Sequence, residues 1–190
     1  MNAAWLAKVR RPSVALALAL GILLAWAAAG AASVNWAPLV PPLDQPQMIL
    51  RNDGKGSGEF GSPRSGHRQH RGVDLAAPLG TAVRAIRSGV VSEAGVHHGL
   101  GRYVELQHGG DLRSLYGHLQ TVSVQAGQRV RQSQVIGTVG KTGNARNPII
   151  KSHLHVEIIQ GETPIDPERF GLTLVRIDSP TDDDEAAGGE

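Results

Sequence analysis

Beyond about position 80 the chain is a succession of short strand-like runs in which apolar and polar residues take turns, each bounded by turn-forming residues. Side chains on a strand point alternately to its two faces, so this two-residue period predicts β structure. The predicted strands are Thr81 to Ile86, Gly89 to Ser92, Tyr103 to Gln107, Arg113 to Gly117, Thr121 to Val124, Gln134 to Val139 and His153 to Ile159. Helix-period patterning is hard to find after position 40. In the last run Leu154 and Val156 point into a core, while His153 and His155 share the opposite face. A strand that offers two imidazoles to one side invites metal chemistry.

The run from Val122 to Gly140 has the rhythm of a compact, barrel-like sandwich. Gly127 and Gly137 take turn conformations that side chains resist, and Val130, Val135, Ile136 and Val139 fill the interior. Val83 to Val91 repeats a fragment of that rhythm. Composition agrees: 24 glycines and 4% aromatic residues in 190 favour many short strands and tight turns. The length suits one well-buried domain better than two. The expected fold class is mainly β.

The two ends of the chain differ from its middle. Lys8, Arg10 and Arg11 precede an uncharged run from Ser13 to Asn35 that includes the small residues 27–32. That is the order of a secretory signal peptide, with Ala29-Gly30-Ala31 or Gly30-Ala31-Ala32 as the cut site. An uncleaved membrane anchor is the competing reading, because the run approaches the roughly 20 apolar residues a span needs. Either way, residues 1–32 are expected to direct the remainder out of the cytoplasm, to the periplasm, cell envelope or exterior. Residues 33–59, with Pro38, Pro41, Pro42 and Pro46, are expected to form a Pro/Gly-rich linker. The folded domain is then 60–172, and 173–190 an acidic, disordered tail.

Charge and cysteine usage narrow the partners. The net charge is +2, and setting aside the leader cations and the tail acids leaves the middle of the chain mildly basic. That suits a partner bearing carboxylates or phosphates, such as a bacterial cell wall. With no cysteine, disulfides, thiolate ligands and a lipid-attachable cysteine are all excluded. Any transition metal must be held by histidine and carboxylate.

The complement to the paired histidines lies upstream in Gln69 to Leu75, where His70 and Asp74 form an HxxxD. A hard carboxylate with a borderline-soft nitrogen is a mixture zinc accepts. Three protein ligands leave a fourth position for water, whose pKa zinc lowers to about 7, whereas a closed four-ligand site is structural. Of His153 and His155 only one needs to reach the metal. The other is free to take a proton from the water or to stabilise an oxyanion, and the residues alone do not say which does which. A lone HxxxD, a lone HxH or a lone Tyr-Gly-His each has a duller explanation as a surface or turn feature.

Taken together, several stretches between Phe60 and Phe170 give the chain a clear likeness. They are Gly61 to Arg64, His70 to Thr81 (His-Arg-Gly-Val-Asp-Leu-Ala-Ala-Pro-Leu-Gly-Thr), Leu115-Tyr116-Gly117-His118-Leu119, the Gly127 to Gly140 run and His153-Leu154-His155. The chain resembles the lysostaphin/LytM-type zinc endopeptidases of peptidoglycan. The resemblance implies a small antiparallel β-sheet or sandwich domain with long loops around a metal cleft. It also implies one zinc ion held by His70, Asp74 and His155, with His118 and His153 as catalytic residues beside the metal-bound water. The implied activity is hydrolysis of stem or cross-bridge peptides in peptidoglycan.

One stretch departs from the family. Thr142 to Ser152 replaces a shorter glycine/proline approach to His153, borders the cleft and is expected to bear on substrate choice. His67 is a rival ligand outside the motif, and His97, His98 and His108 are expected as loop or surface residues. Arg64 is a candidate for a substrate carboxylate, or a loop decoration.

Other classes compete with this reading. A non-catalytic wall-binding or activator module is the main alternative, since degenerate family members lose metal residues; this chain keeps all five positions. A lipoyl- or biotinyl-type carrier echoes the Val122 to Gly140 rhythm, yet Lys141 lacks the hairpin-tip context and the leader points outward. Peptidoglycan is the expected partner. No nucleic acid is expected, and a membrane only through an uncleaved anchor.

Overall fold

The alternation of buried and site-facing residues along the histidine strand is the axis around which the fold is built. The computed structural model describes residues 38–177; the expected leader and most of the acidic tail lie outside them. Nine strands form the main sheet: β1 (Val73–Ala76), β2 (Ala82–Arg84), β3 (Gly89–His97), β4 (Gly101–Gln107), β5 (Leu112–Val122), β6 (Arg129–Val130), β7 (Val135–Val139), β8 (His153–Gln160) and β9 (Thr163–Ile165). They are ordered β6-β3-β4-β5-β7-β2, and β8 pairs with β5, β1 and β9. Every pairing in this sheet is antiparallel.

Period-two alternation decides what each face does. Leu154, Val156 and Ile158 of β8, Val73 and Leu75 of β1, and Leu112 and Tyr116 of β5 all enter one apolar core with Val83, Leu106 and Ile136. His153, His155 and Glu157, the intervening residues of β8, occupy the opposite face and are buried as well. Close approach of β1 to β8 depends on Gly72: a Cβ there would fall far inside contact distance of the Val156 carbonyl oxygen.

The expected breaks at Gly117 and Thr121 do not occur, and Leu112–Val122 is one strand. What interrupts its alternation is a β-bulge. His118 has φ +61°, and the ladder to β4 shifts register between Tyr116 and Leu119. The irregularity lets Tyr116 and Leu119, three residues apart, both enter the core, and it frees His118 from the core face. At the same place β5 changes partner, from β8 up to Gly117 to β7 from Leu119.

The stretch expected as a linker packs against the domain from residue 39 onward. Leu43, Met48 and Leu50 belong to the core, and Met48–Ile49 pairs in parallel with Leu174–Val175. Apolar residues spaced between the prolines supply the burial that proline-rich composition alone does not reveal.

Candidate metal centre

The sheet register assembles the site. His155 lies opposite Asp74 and His153 opposite Ala76, while Gly117 lies opposite His155 on its other side. His70 precedes β1 by three residues and reaches the same row. His70 Nε2 is 3.1 Å from His155 Nδ1 and 3.1 Å from Asp74 Oδ1, and His155 Nδ1 is 2.9 Å from Asp74 Oδ1. Ligand atoms bonded at tetrahedral angles to one zinc-sized ion stand about 3.3 Å apart. The three atoms are therefore already spaced to close on a single divalent cation. Two imidazole nitrogens and a carboxylate oxygen, all on buried residues, are a donor set suited to a transition metal.

Each of the three is held from behind. The His70 Nδ1–H donates to the Glu59 carbonyl oxygen at 2.8 Å, which leaves Nε2 as the ligand atom. His155 Nε2 is 3.1 Å from Glu157 Oε1, which directs Nδ1 to the site. Asp74 Oδ2 accepts from Arg51 Nη2 at 3.0 Å and Arg64 Nη2 at 3.1 Å, so Oδ1 remains for the metal. Such outer partners fix the tautomer and raise ligand basicity.

The charges follow from this packing. Burial pushes Asp74 up, but hydrogen bonds from His155 and His70 outweigh it and hold its carboxyl well below the usual range. Burial likewise pushes His155 down, yet Asp74 and Glu157 win and raise it to about 9.

His118 and His153 flank this cluster. Their rings meet edge to face with centroids 4.8 Å apart, and His153 Nε2 lies 3.8 Å from Asp74 Oδ1. Burial, reinforced by His153 and His155, lowers His118 to about 3; burial also lowers His153, with Asp74 opposing. Both are neutral at pH 7. The 142–152 loop orients the two rings: His118 Nδ1–H donates to the Thr142 carbonyl at 2.9 Å, and His153 Nδ1–H to the Lys151 carbonyl at 2.7 Å. Each imidazole then presents Nε2 as an acceptor. The two ends of the loop read as a specificity element therefore hold the two flanking rings.

A model of peptidase family M23 matches residues 68–167, which span β1 to β9 and all five of these residues. The chain belongs to peptidase family M23. This M23 domain is 40% identical over 92 residues to the peptidoglycan DD-endopeptidase ShyC of Vibrio cholerae, covering 48% of this chain and 20% of that protein. It superposes on a zinc-containing peptidase from Vibrio cholerae with a TM-score of 0.56 at 26% identity, covering 68% of this chain and 39% of that one. For the catalytic domain of lysostaphin from Staphylococcus simulans the TM-score is 0.53 at 34% identity, covering 62% of this chain and 91% of that one. The chain spans about a quarter of the length of the curated relatives it matches.

Several residues of the M23 domain sit differently from expectation. Arg64 bonds Asp74 Oδ2, the Ser57 carbonyl and Ser62 Oγ, so its guanidinium is occupied by the metal site rather than offered to a substrate. His108 is buried, 4% exposed, because Nδ1–H donates to the Ser88 carbonyl and Nε2 meets Ser114 Oγ at 2.8 Å. His67, His97 and His98 are exposed. Glu157, Arg51 and Glu59 were not singled out in the sequence. Only Glu157 left a signal there, as the next residue on the strand face of His153 and His155.

Proposed function

We propose that the chain is a zinc-dependent endopeptidase that hydrolyses peptide bonds in the stem or cross-bridge peptides of peptidoglycan, acting in the cell envelope. The observation that carries this is the convergence of His70 Nε2, Asp74 Oδ1 and His155 Nδ1 beside two neutral imidazoles. Relatives named as peptidoglycan DD-endopeptidases support the substrate class, and the basic-then-apolar sequence of residues 1–32, read as a leader or anchor, supports export.

In this reading His70, Asp74 and His155 hold one zinc ion. Zinc bound there supplies an acidified water and a Lewis acid for the scissile carbonyl. His153 Nε2 takes a proton from the attacking water and returns it to the leaving amine nitrogen, so the C–N bond breaks without releasing an amide anion. Burial lowers both rings and Asp74 opposes it at both, but Asp74 is the leading influence after burial on His153, whereas on His118 the two neighbouring imidazoles come before it; His153 is therefore the better base of the pair. His118 Nε2 accepts a hydrogen bond from the water and orients it for attack.

The test is mass spectrometry of muropeptides released from defined sacculi by the purified protein, before and after chelation and zinc return. Chelation abolishes release and zinc restores it. In His155→Ala both bound zinc and cleavage disappear; a variant that cleaves fully without zinc overturns the ligand assignment.

A further inference from the structure

Segment 51–53 lies N-terminal to the stretch matched by the family model, yet it is joined to both sides of the centre. The Arg51 side chain is 4% exposed, with Nη2 3.0 Å from Asp74 Oδ2 and Nη1 2.6 Å from Asp53 Oδ1. Asp53 Oδ2 accepts the backbone N–H of Lys151 at 2.9 Å. The carbonyl of Lys151 in turn accepts from His153 Nδ1 at 2.7 Å. One continuous path therefore runs from the Asp74 carboxylate through Arg51 and Asp53 to the ring of His153.

The backbone reinforces the path. Arg51 N–H donates to the Asp74 carbonyl at 2.8 Å, Gly58 N–H to the Arg51 carbonyl at 2.7 Å, and Asp74 N–H to the Gly58 carbonyl at 2.8 Å. A Cβ on Gly58 would lie 2.7 Å from the Asp74 carbonyl oxygen, so the stitch requires glycine there. Stability alone does not account for the guanidinium. It is a buried cation whose Nε and Nη1 both lack a well-aligned hydrogen-bond acceptor, Nη1 meeting Asp53 as an ion pair, and burying such a group costs more than an apolar side chain of equal size. What the arginine gains in return is geometric: its fork fixes two carboxylates at once, as a lysine cannot.

We propose that Arg51 and Asp53 form a strut of positioning residues that sets the Asp74 carboxylate and the His153 imidazole at a fixed separation, making this segment part of the working site. The proposal rests on the endopeptidase reading for its turnover arm and on zinc binding alone for the other. Arg51→Met weakens zinc binding about 10- to 100-fold, the usual effect of losing an outer partner, and lowers kcat about tenfold or more at saturating zinc. Asp53→Ala cuts the tie to Lys151 and so the His153 arm, while Arg51 keeps its own bond to Asp74: the zinc Kd stays within about threefold while kcat falls about tenfold with KM unchanged. Arg51→Lys recovers part of the zinc affinity but not kcat, having one cationic head for two carboxylates.

Zinc Kd is read by chelator competition, and kcat and KM on a defined cross-linked muropeptide, with apo melting curves recorded for each variant. Wild-type zinc affinity and turnover in Arg51→Met overturn the strut, as does an Asp53→Ala in which Kd and kcat fall together. If Arg51→Met does not fold, Arg51→Lys and Asp53→Ala decide. A wild type that binds zinc but cleaves no muropeptide refutes the endopeptidase reading, and the zinc arm still judges the strut.

Discussion

Replacing Glu157 by glutamine removes one charge from behind His155, a ligand in the proposed zinc site, and little else. The side chain keeps its length and an oxygen that accepts from His155 Nε2, now 3.1 Å away. The carboxylate is 11% exposed, and its cationic neighbour Arg71, at 3.6 Å, is 58% exposed, so solvent and counter-charge offset little of its effect. Losing such a partner lowers metal affinity about 10- to 100-fold, which is about 1.4–2.7 kcal/mol. Proton competition modulates how much of this appears. His155 is raised to about 9, against burial, by Asp74 and Glu157, and zinc must displace that proton, so wild-type affinity rises about tenfold per pH unit up to about pH 9. In Glu157→Gln the proton leaves more easily. The affinity gap is therefore full at pH 9 and above and narrows toward pH 7. Chelator-buffered zinc titrations from pH 6 to 9.5 measure both curves. Equal affinities at pH 9, or a gap that widens as pH falls, refute the argument.

Gly72→Ala drives a Cβ into the Val156 carbonyl and forces β1 from β8; urea unfolding should show a loss of at least about 3 kcal/mol, with zinc binding lost in parallel. Tyr116→Phe strands the buried Ile86 N–H, which donates to the Tyr116 hydroxyl at 2.9 Å, and lowers stability by about 1–3 kcal/mol; calorimetry should find a lower Tm with zinc affinity unchanged. The apo protein should be most stable near pH 6.5. Burial lowers His108, His118 and His153, so their contribution is complete above the unfolded value of about 6.5 and is lost as pH falls, at up to about 1.4 kcal/mol per pH unit each. His155, raised to about 9, contributes below about 6.5 and loses that contribution as pH climbs through 9. In the proposed zinc site the ion takes the position of this proton, so the alkaline loss should vanish in the loaded protein; melting temperatures from pH 5 to 9.5, with and without zinc, check both limbs.

Much of the fold was legible because period-two alternation survives wherever a strand has one face on the core. Strand β8 displays it from His153 to Ile158, whereas in Val135–Val139 a register shift leaves Val135 exposed and puts Ile136 and Val139 in the core. Strand β1 was not predicted as an element, because Val73, Asp74 and Leu75 alternate correctly but the strand is only four residues long, too short for its period to stand out. Strand β5 was read as two, because a bulge at His118 breaks the period without ending the ladder. The five histidine and aspartate positions could be named since they fall in three short motifs, and the family resemblance of those motifs supplied their roles. Arg51, Asp53 and Glu59 could not, because their roles come from contacts across 23, 98 and 11 residues, and no local pattern marks an outer partner. His108 looked like a loop residue for the same reason: its partners, Ser88 and Ser114, are brought together only by the folded sheet.

Where β5 leaves β8 for β7, the sheet splits like a seam, and the same irregular backbone swings an imidazole into the gap. Opening and reagent share one origin. A chain that mended this defect into a regular ladder would gain hydrogen bonds, but it would turn the histidine to the core face beside Tyr116 and drive Leu119 off that face. The imperfection at residue 118 is what sets this imidazole beside those of His153 and His155.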